Sequence, residues 1–177
     1  MKLQDVKYGG GDFIFEIPSD QEVKFRVLST DFECIAKHYD KAKRKYFACI
    51  GKEKGCPLCD DANPPVKRFV GYIHDGSQVK LAALPYTILQ ELKKIFDTNP
   101  ALFVEDVPQF AISVFRSGSG NSTSYTVTMD VSDDTSFDLS TYQDVKEYVA
   151  EQKELTKKEY GVGEVLENKT LENTPPF

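Results

Sequence analysis

The chain has 177 residues, of which 40% are hydrophobic, and a formal net charge of −6. This length and apolar content suit one domain with a packed core, or one domain and a tail. No segment is long and apolar enough to span a membrane and Met1 does not open a signal peptide, so we expect a cytoplasmic protein with no membrane partner.

The N-terminal half of the chain predicts β-strands arranged in hairpins. Residues 23–28 alternate apolar and basic side chains, which is the period of a half-buried strand. Asp75-Gly76 is a hairpin turn signal between two strand-like runs. The strands predicted here are 23–28, 32–39, 46–49, 68–74 and 79–84, with a polar turn at 41–45 and a break at 63–65.

One helix and one further strand pair are predicted in the second half. The helix ends at Asn99-Pro100, and strands follow at 109–116 and 122–130. Residues 137–160 predict a highly charged helix in their second half. The apolar positions that recur at helical spacing before Asn99 are Ile88, Leu89, Leu92, Ile95 and Phe96.

About six strands with one inserted helix favour a mostly β fold, which we interpret as a small, closed, OB-like barrel. We expect residues 1–132 to form this domain, with a zinc-binding subdomain at about 34–62. Residues 133–177 are expected to form a charged helix and an acidic tail.

Three cysteines and a histidine give the strongest signal in the chain. Cys56-Pro57-Leu58-Cys59 places two thiolates on one tight turn, where both can reach a single tetrahedral ion, and Cys49 supplies a third. Either His38 or Cys34 completes the set, and we favour His38 because an imidazole flanked by lysine and tyrosine has less reason to be in a core. Four protein ligands leave no open position, so the pattern predicts a structural Zn²⁺.

Enzymatic interpretations of the Cys56–Cys59 pair find little support. A redox dithiol needs a helix after the first cysteine, whereas the acidic and proline-rich residues 60–65 follow here. A zinc deaminase needs a proline directly before the pair, and in this chain the proline lies inside it. No P-loop, G-x-G-x-x-G or G-x-S-x-G motif occurs, so we predict that the protein is not an enzyme.

Charge is unevenly distributed along the chain. Residues 133–177 carry −6 and residues 1–132 are neutral, but the segment 37–54, between the metal ligands, carries +5. Its basic residues are interleaved with aromatic ones, which is the combination that single-stranded nucleic acid requires for phosphate contact and base stacking. The expected contact residues are Lys37, Tyr39, Lys43, Arg44, Lys45, Tyr46, Lys67, Arg68 and Tyr72, whereas Phe47 and Phe69 are expected in the core.

With these features the chain resembles the zinc-containing single-stranded-DNA-binding proteins of tailed bacteriophages. The resemblance covers about residues 13–130. The matching positions are Arg26-Val27-Leu28, the ligand set with Gly55-Cys56-Pro57, Arg68-Phe69, and the run from Phe110 through Arg116, Gly118 and Gly120 to Thr123, Tyr125 and Val127.

The resemblance implies an OB-fold with a zinc subdomain whose ligands are His38, Cys49, Cys56 and Cys59. It also implies that the basic and aromatic positions above, together with Arg116, line a cleft for single-stranded DNA. Such a protein coats single strands without sequence preference during phage DNA replication, recombination and repair, in the host-cell cytoplasm. The chain lacks a basic N-terminal arm, so we do not expect strong cooperativity.

The C-terminal segment adds one partner hypothesis and one rival function. Glu164, Glu167 and Glu172 precede a terminal Phe177, which resembles the acidic tails that recruit replication or recombination proteins; a plain disordered end is the alternative. The rival function is a zinc-stabilised protein-interaction or transcription-regulatory module whose acidic C-terminal half contacts protein.

Overall fold

The computed structural model describes residues 14–60, 62–118 and 122–162. Every strand and helix predicted above is present within a few residues of its expected bounds, and three two-residue strands were too short to predict from periodicity. The tail residues Glu164 to Phe177 lie outside the described residues. The elements are β1 (Ile14–Phe15), β2 (Glu22–Val27), β3 (Glu33–Asp40), β4 (Lys45–Ala48), β5 (Val66–His74), β6 (Val79–Leu84), α1 (Tyr86–Thr98), β7 (Phe103–Val104), β8 (Val107–Pro108), β9 (Phe110–Ser117), β10 (Ser124–Ser132) and α2 (Val145–Tyr160).

Eight strands form one sheet, and β7 and β8 form a separate pair. The order in the large sheet is β1-β6-β5-β2-β9-β10, and β3 pairs with both β5 and β4. Only the β1–β6 pairing is parallel among the described strands. The mostly β class is therefore confirmed, and within the described residues the sheet is open, since no pairing joins β1 to β10.

The main core lies between this sheet and α1. Tyr125 and Val127 of β10 pack against the same cluster as Ala82 and Leu84 of β6, although three strands separate β6 from β10 in the sheet order. The sheet therefore curves around α1, which contacts both β5 and β10. The buried members of this core are Phe25, Val27, Ile73, Ala82, Leu84, Ile88, Leu92, Phe110, Ile112 and Val114.

A second core forms where α2 packs on the sheet. Val145, Tyr148 and Val149 share one face of the helix and are buried against Ile35 of β3 and Val70 of β5. The Asp144 side chain caps the N-terminus of α2 by accepting from two backbone N–H groups, and Gly161 ends the helix in a left-handed conformation. The charged helix expected in residues 137–160 is thus held by a narrow apolar face.

The segment between β10 and α2, residues 133–144, is called the strap, and a buried arginine holds its first residues. Arg26 on β2 is only 4% exposed, and its guanidinium donates to the carbonyls of Pro108 and Thr135 at 2.7 Å each. It also donates to Gln109 and lies 3.4 Å from the Asp133 carboxylate. Arg26 therefore fixes the segment after β10 rather than facing solvent.

Candidate functional site

The predicted metal ligands converge at the base of the β3–β4 hairpin. His38 lies on β3 and is fully buried, Cys49 follows β4, and Cys56 and Cys59 lie on the loop that leads to β5. Their ligand atoms all lie within 4.8 Å of one another. The Cys59 sulfur is 3.2 Å from His38 Nε2 and 3.4 Å from the Cys49 sulfur. All three cysteines are free thiols, with no disulfide.

The His38 ring is oriented by a backbone carbonyl. Nδ1 lies 2.8 Å from the Asn63 oxygen. Because a carbonyl can only accept, Nδ1 carries the proton and Nε2 presents its lone pair to the three sulfurs. This is the arrangement that histidine metal ligands normally have. Asn63 was expected only as part of a chain break, so its carbonyl adds a second function that the sequence did not indicate.

The loop between Cys49 and Cys59 is shaped to bring the sulfurs together. The Gly51 N–H donates to the Cys49 sulfur at 3.4 Å, and the Gly51 carbonyl accepts from the Cys56 N–H at 3.1 Å. Gly55 turns the chain into Cys56 with φ of 74°, a left-handed conformation that glycine adopts without strain. The loop therefore folds back, and Cys49 at its start lies beside Cys56 and Cys59 at its end.

The thiols perturb one another. Burial and then the neighbouring sulfurs of Cys49 and Cys56 raise the pKa of Cys59 to about 12. Burial also acts to raise the pKa of Cys56, but hydrogen bonds from the Ile50 and Leu58 backbone and from the other two cysteines lower it overall. Close thiolates repel unless a cation lies between them, so this geometry favours a bound metal ion.

The donor set fits a tetrahedral metal ion. Zinc–sulfur distances of about 2.3 Å place tetrahedral sulfur ligands about 3.8 Å apart, and here the Cys49 and Cys59 sulfurs are 3.4 Å apart and all four ligand atoms lie within 4.8 Å of one another. Cys34, the alternative fourth ligand, is exposed on β3 and lies outside the cluster. His38, Cys49, Cys56 and Cys59 are therefore positioned to bind a metal ion, and it is His38 rather than Cys34 that lies with the three cysteines.

A groove of about 730 Å³ runs beside the hairpin. It lies between the hairpin, α2 and the segment that begins with β1. Six of the ten residues expected to contact nucleic acid line it, namely Lys37, Arg44, Lys45, Tyr46, Arg68 and Arg116.

The groove is strongly cationic. Its lining contains two lysines and three arginines but only one acidic residue, Glu16. Among the described residues, none of these five cations has a carboxylate within 4 Å. Burial lowers the pKa of Lys37, with Glu16 opposing and Arg68 reinforcing that change. Unpaired cations that are crowded together favour an anionic ligand.

The guanidinium of Arg116 is only partly satisfied by hydrogen bonds. Its terminal nitrogen donates to the Ile17 carbonyl at 3.0 Å. Its Nε atom is buried and has no hydrogen-bond partner. A buried donor without an acceptor is costly, so the Arg116 side chain is incompletely satisfied where it borders the groove.

Aromatic rings interrupt the cationic lining. Tyr46 is 54% exposed and packs against Tyr39, with ring centroids 5.0 Å apart. Phe47 is half-buried against Tyr160 rather than in the main core. The rings that line the groove are Phe15, Tyr46, Phe47, Tyr125 and Tyr148.

The other four expected contact residues lie outside the groove. Lys43 pairs with Glu159 on α2, and Tyr39 lies beside the groove against Tyr46. Lys67 is exposed on β5 without lining the groove. The Tyr72 hydroxyl donates to the Gln143 carbonyl at 2.7 Å, so this ring helps hold the approach to α2.

One wall of the groove comes from α2. Tyr148, Gln152, Leu155 and Thr156 recur at helical spacing and carry no charge, although the helix as a whole is highly charged. These residues were not predicted to belong to a site. Their spacing in a charged helix was the signal that could have indicated an uncharged face.

Comparison of the chain with protein-family models, with curated proteins and with solved structures found no match. In the part of the chain that the structure describes, neither helix has the length and apolar character that crossing a membrane requires.

Proposed function

We propose that this chain is a non-enzymatic protein that binds single-stranded DNA without sequence specificity. The observation that carries the proposal is the groove, in which five cations without acidic partners lie beside the exposed ring of Tyr46. Cations of this kind follow a phosphate backbone, and exposed rings stack on unpaired bases of any sequence. A duplex has its bases already stacked, so it cannot use the rings in this way.

The metal in this proposal is a structural Zn²⁺. Three sulfurs and one imidazole are the ligands that zinc prefers, and four protein ligands leave no place for a substrate. His38 and Cys49 lie at the two sides of the hairpin base. A metal ion held by both would keep the basic hairpin beside the groove, which is the role expected from the charge run at 37–54.

The curvature of the sheet around α1 supports the finer fold proposal of an OB-like barrel. OB-folds bind single strands through a positively charged groove with aromatic side chains, and the groove here is cationic and includes the exposed ring of Tyr46. The resemblance to phage proteins extends the proposal to DNA replication, recombination and repair, with single-stranded DNA as the partner.

Salt-dependent binding tests the proposal. The fluorescence anisotropy of a labelled oligo(dT) should rise with protein, and a duplex of the same length should compete poorly. Each single-strand phosphate contact adds about −0.7 to the slope of log K against log salt. If all five groove cations contact phosphates, the slope should be about −3.5.

Charge-neutralising variants identify the surface that binds. Lys45→Gln and Arg68→Gln should each weaken binding and reduce the magnitude of the slope by about 0.7. Lys93→Gln is the matched control, since Lys93 is exposed on α1, pairs with Asp97 and does not line the groove. If the protein does not bind oligo(dT) even at low salt, the proposal is wrong and the protein-interaction module becomes the better hypothesis.

A further inference from the structure

The β3–β4 hairpin needs support at two ends. It supplies Arg44, Lys45 and Tyr46 to the groove, but among the described strands β4 pairs with β3 alone. The metal ligands His38 and Cys49 lie at its base. Neither ligand belongs to the turn at residues 41–44, and a two-stranded ribbon is only marginally stable by itself.

The tip of the hairpin is organised around one carboxylate. Asp40 accepts from the backbone N–H groups of Ala42 at 2.8 Å and Lys43 at 3.1 Å through one oxygen. Its other oxygen accepts from the Tyr160 hydroxyl. Tyr160 is the last residue of α2, so the side chain that shapes the turn is also tied to the helix.

The Tyr160 ring makes two further contacts with the hairpin. It packs edge-on against Phe47, with centroids 5.2 Å apart, and Lys43 Nζ lies 4.8 Å from its centroid. Lys43 also pairs with the adjacent Glu159. The last turn of α2 thus contacts the hairpin through a hydrogen bond, a ring pair, a cation–π contact and an ion pair.

We propose that the last turn of α2 is a latch that positions the basic hairpin for its ligand, with Tyr160 as the positioning residue. The first half of α2 is fixed to the sheet by Val145, Tyr148 and Val149. A helix of 16 residues is about 24 Å long, so it acts as a stiff rod between the second core and the hairpin tip. Holding the tip in place before binding reduces the ordering cost that the ligand would otherwise meet.

The proposal rests on the proposed function, because it concerns the positioning of the same groove. A competing role for the same contacts is autoinhibition, in which Glu159 imitates a phosphate and blocks Lys43. Positioning is favoured because Lys43 does not line the groove. The cations that do line it have no acidic partner among the described residues.

Two variants separate the contacts of Tyr160. Tyr160→Ala removes all of them, and Tyr160→Phe removes only the bond to Asp40. We expect amide hydrogen exchange of residues 40–46 in the free protein to be fastest in Tyr160→Ala and intermediate in Tyr160→Phe. Affinity for oligo(dT) should fall by about fivefold in Tyr160→Ala, with metal content unchanged.

Tyr142→Ala is the matched control, because Tyr142 is a 41%-exposed tyrosine of the same C-terminal segment that does not line the groove. It should leave hairpin exchange and affinity unchanged. The latch is overturned if Tyr160→Ala keeps the hydrogen-exchange rates and the oligo(dT) affinity of the wild type. It is also overturned if Tyr160→Ala or Glu159→Gln binds oligo(dT) more tightly than the wild type, because tighter binding indicates autoinhibition. If wild-type protein binds no oligo(dT), the proposed function fails, while the exchange rates still decide whether Tyr160 holds the hairpin.

Discussion

Two basic side chains on β2 have different roles because one is exposed and the other is buried. Lys24 and Arg26 are neighbouring cations on β2, and the sequence alone does not distinguish them. Lys24 pairs with Asp130 at the surface, whereas Arg26 is buried and contacts four residues from the strands and the strap. Burial, rather than charge, makes Arg26 a structural residue.

Arg26→Met should therefore destabilise the fold strongly. The substitution leaves the Pro108 and Thr135 carbonyls without their donor, and we expect a loss of about 3 kcal/mol in the free energy of unfolding. Urea denaturation followed by circular dichroism measures it. Lys24→Met is the control and should shift the urea midpoint little, since exposed pairs contribute little. Equal effects of the two substitutions would contradict a structural role specific to Arg26.

At the scale of elements, turns between strands carry their own stabilising groups. The β5–β6 hairpin turns at Asp75, whose carboxylate accepts from the N–H groups of Ser77 and Gln78 and pairs with Lys80. Burial acts to raise the pKa of Asp75, but Lys80 and these hydrogen bonds outweigh it and hold the pKa well below its ordinary value. The ionised carboxylate is therefore the form that stabilises the turn.

Asp75→Asn should lower stability in a pH-dependent way. Because the folded-state pKa is depressed, the contribution of Asp75 is fully present above the ordinary carboxyl pKa of about 4 and is lost as pH falls below it. The difference in unfolding free energy between wild type and Asp75→Asn should be largest from pH 5 to 7 and shrink towards pH 2. Urea denaturation across that range measures it, with Asp97→Asn in an exposed pair as the control. A difference independent of pH would contradict this account.

At the scale of the whole molecule, the metal cluster, the hairpin and α2 form one continuous arrangement beside the groove. The cluster lies at the hairpin base, the last residue of α2 contacts Asp40 at the tip, and the same helix packs into the second core. Disturbance of the cluster should therefore affect both folding stability and ligand binding.

Removing the metal should lower the melting temperature and weaken oligo(dT) binding together. A chelator on wild-type protein and the variant Cys56→Ser should both have this effect, because metal binding energy contributes to folding. The control is Cys34→Ser, an exposed cysteine outside the cluster, which should retain metal, melting temperature and affinity. Chelation that changes neither property would show that the cluster has no role in holding the groove.

Affinity for zinc should also rise with pH between about 6 and 8, because the thiols must lose protons to bind it. The raised pKa of Cys59 agrees with this expectation, because without a bound cation this thiol releases its proton only at high pH. Competition with a coloured zinc indicator measures the change.

The sequence by itself determined the features that depend on neighbours along the chain. Strand alternation located β2, the Asp75-Gly76 turn located the hairpin between β5 and β6, and the spacing of Cys49, Cys56 and Cys59 identified three cysteines that are positioned to bind a metal ion. These follow from periods and distances within a few residues. The fourth ligand was narrowed to two residues on one strand, and burial of His38 with exposure of Cys34 decided between them.

Tertiary structure alone decided which basic side chains pair with an acidic residue and which line the groove without one. Lys43 and Lys45 are two residues apart in the same basic run, yet Lys43 pairs with Glu159, which lies 116 positions further along the chain, and Lys45 lines the groove. The uncharged face of α2 became a groove wall only because the helix packs on the sheet. Such pairings depend on how distant elements meet, and the local pattern of residues does not contain that information.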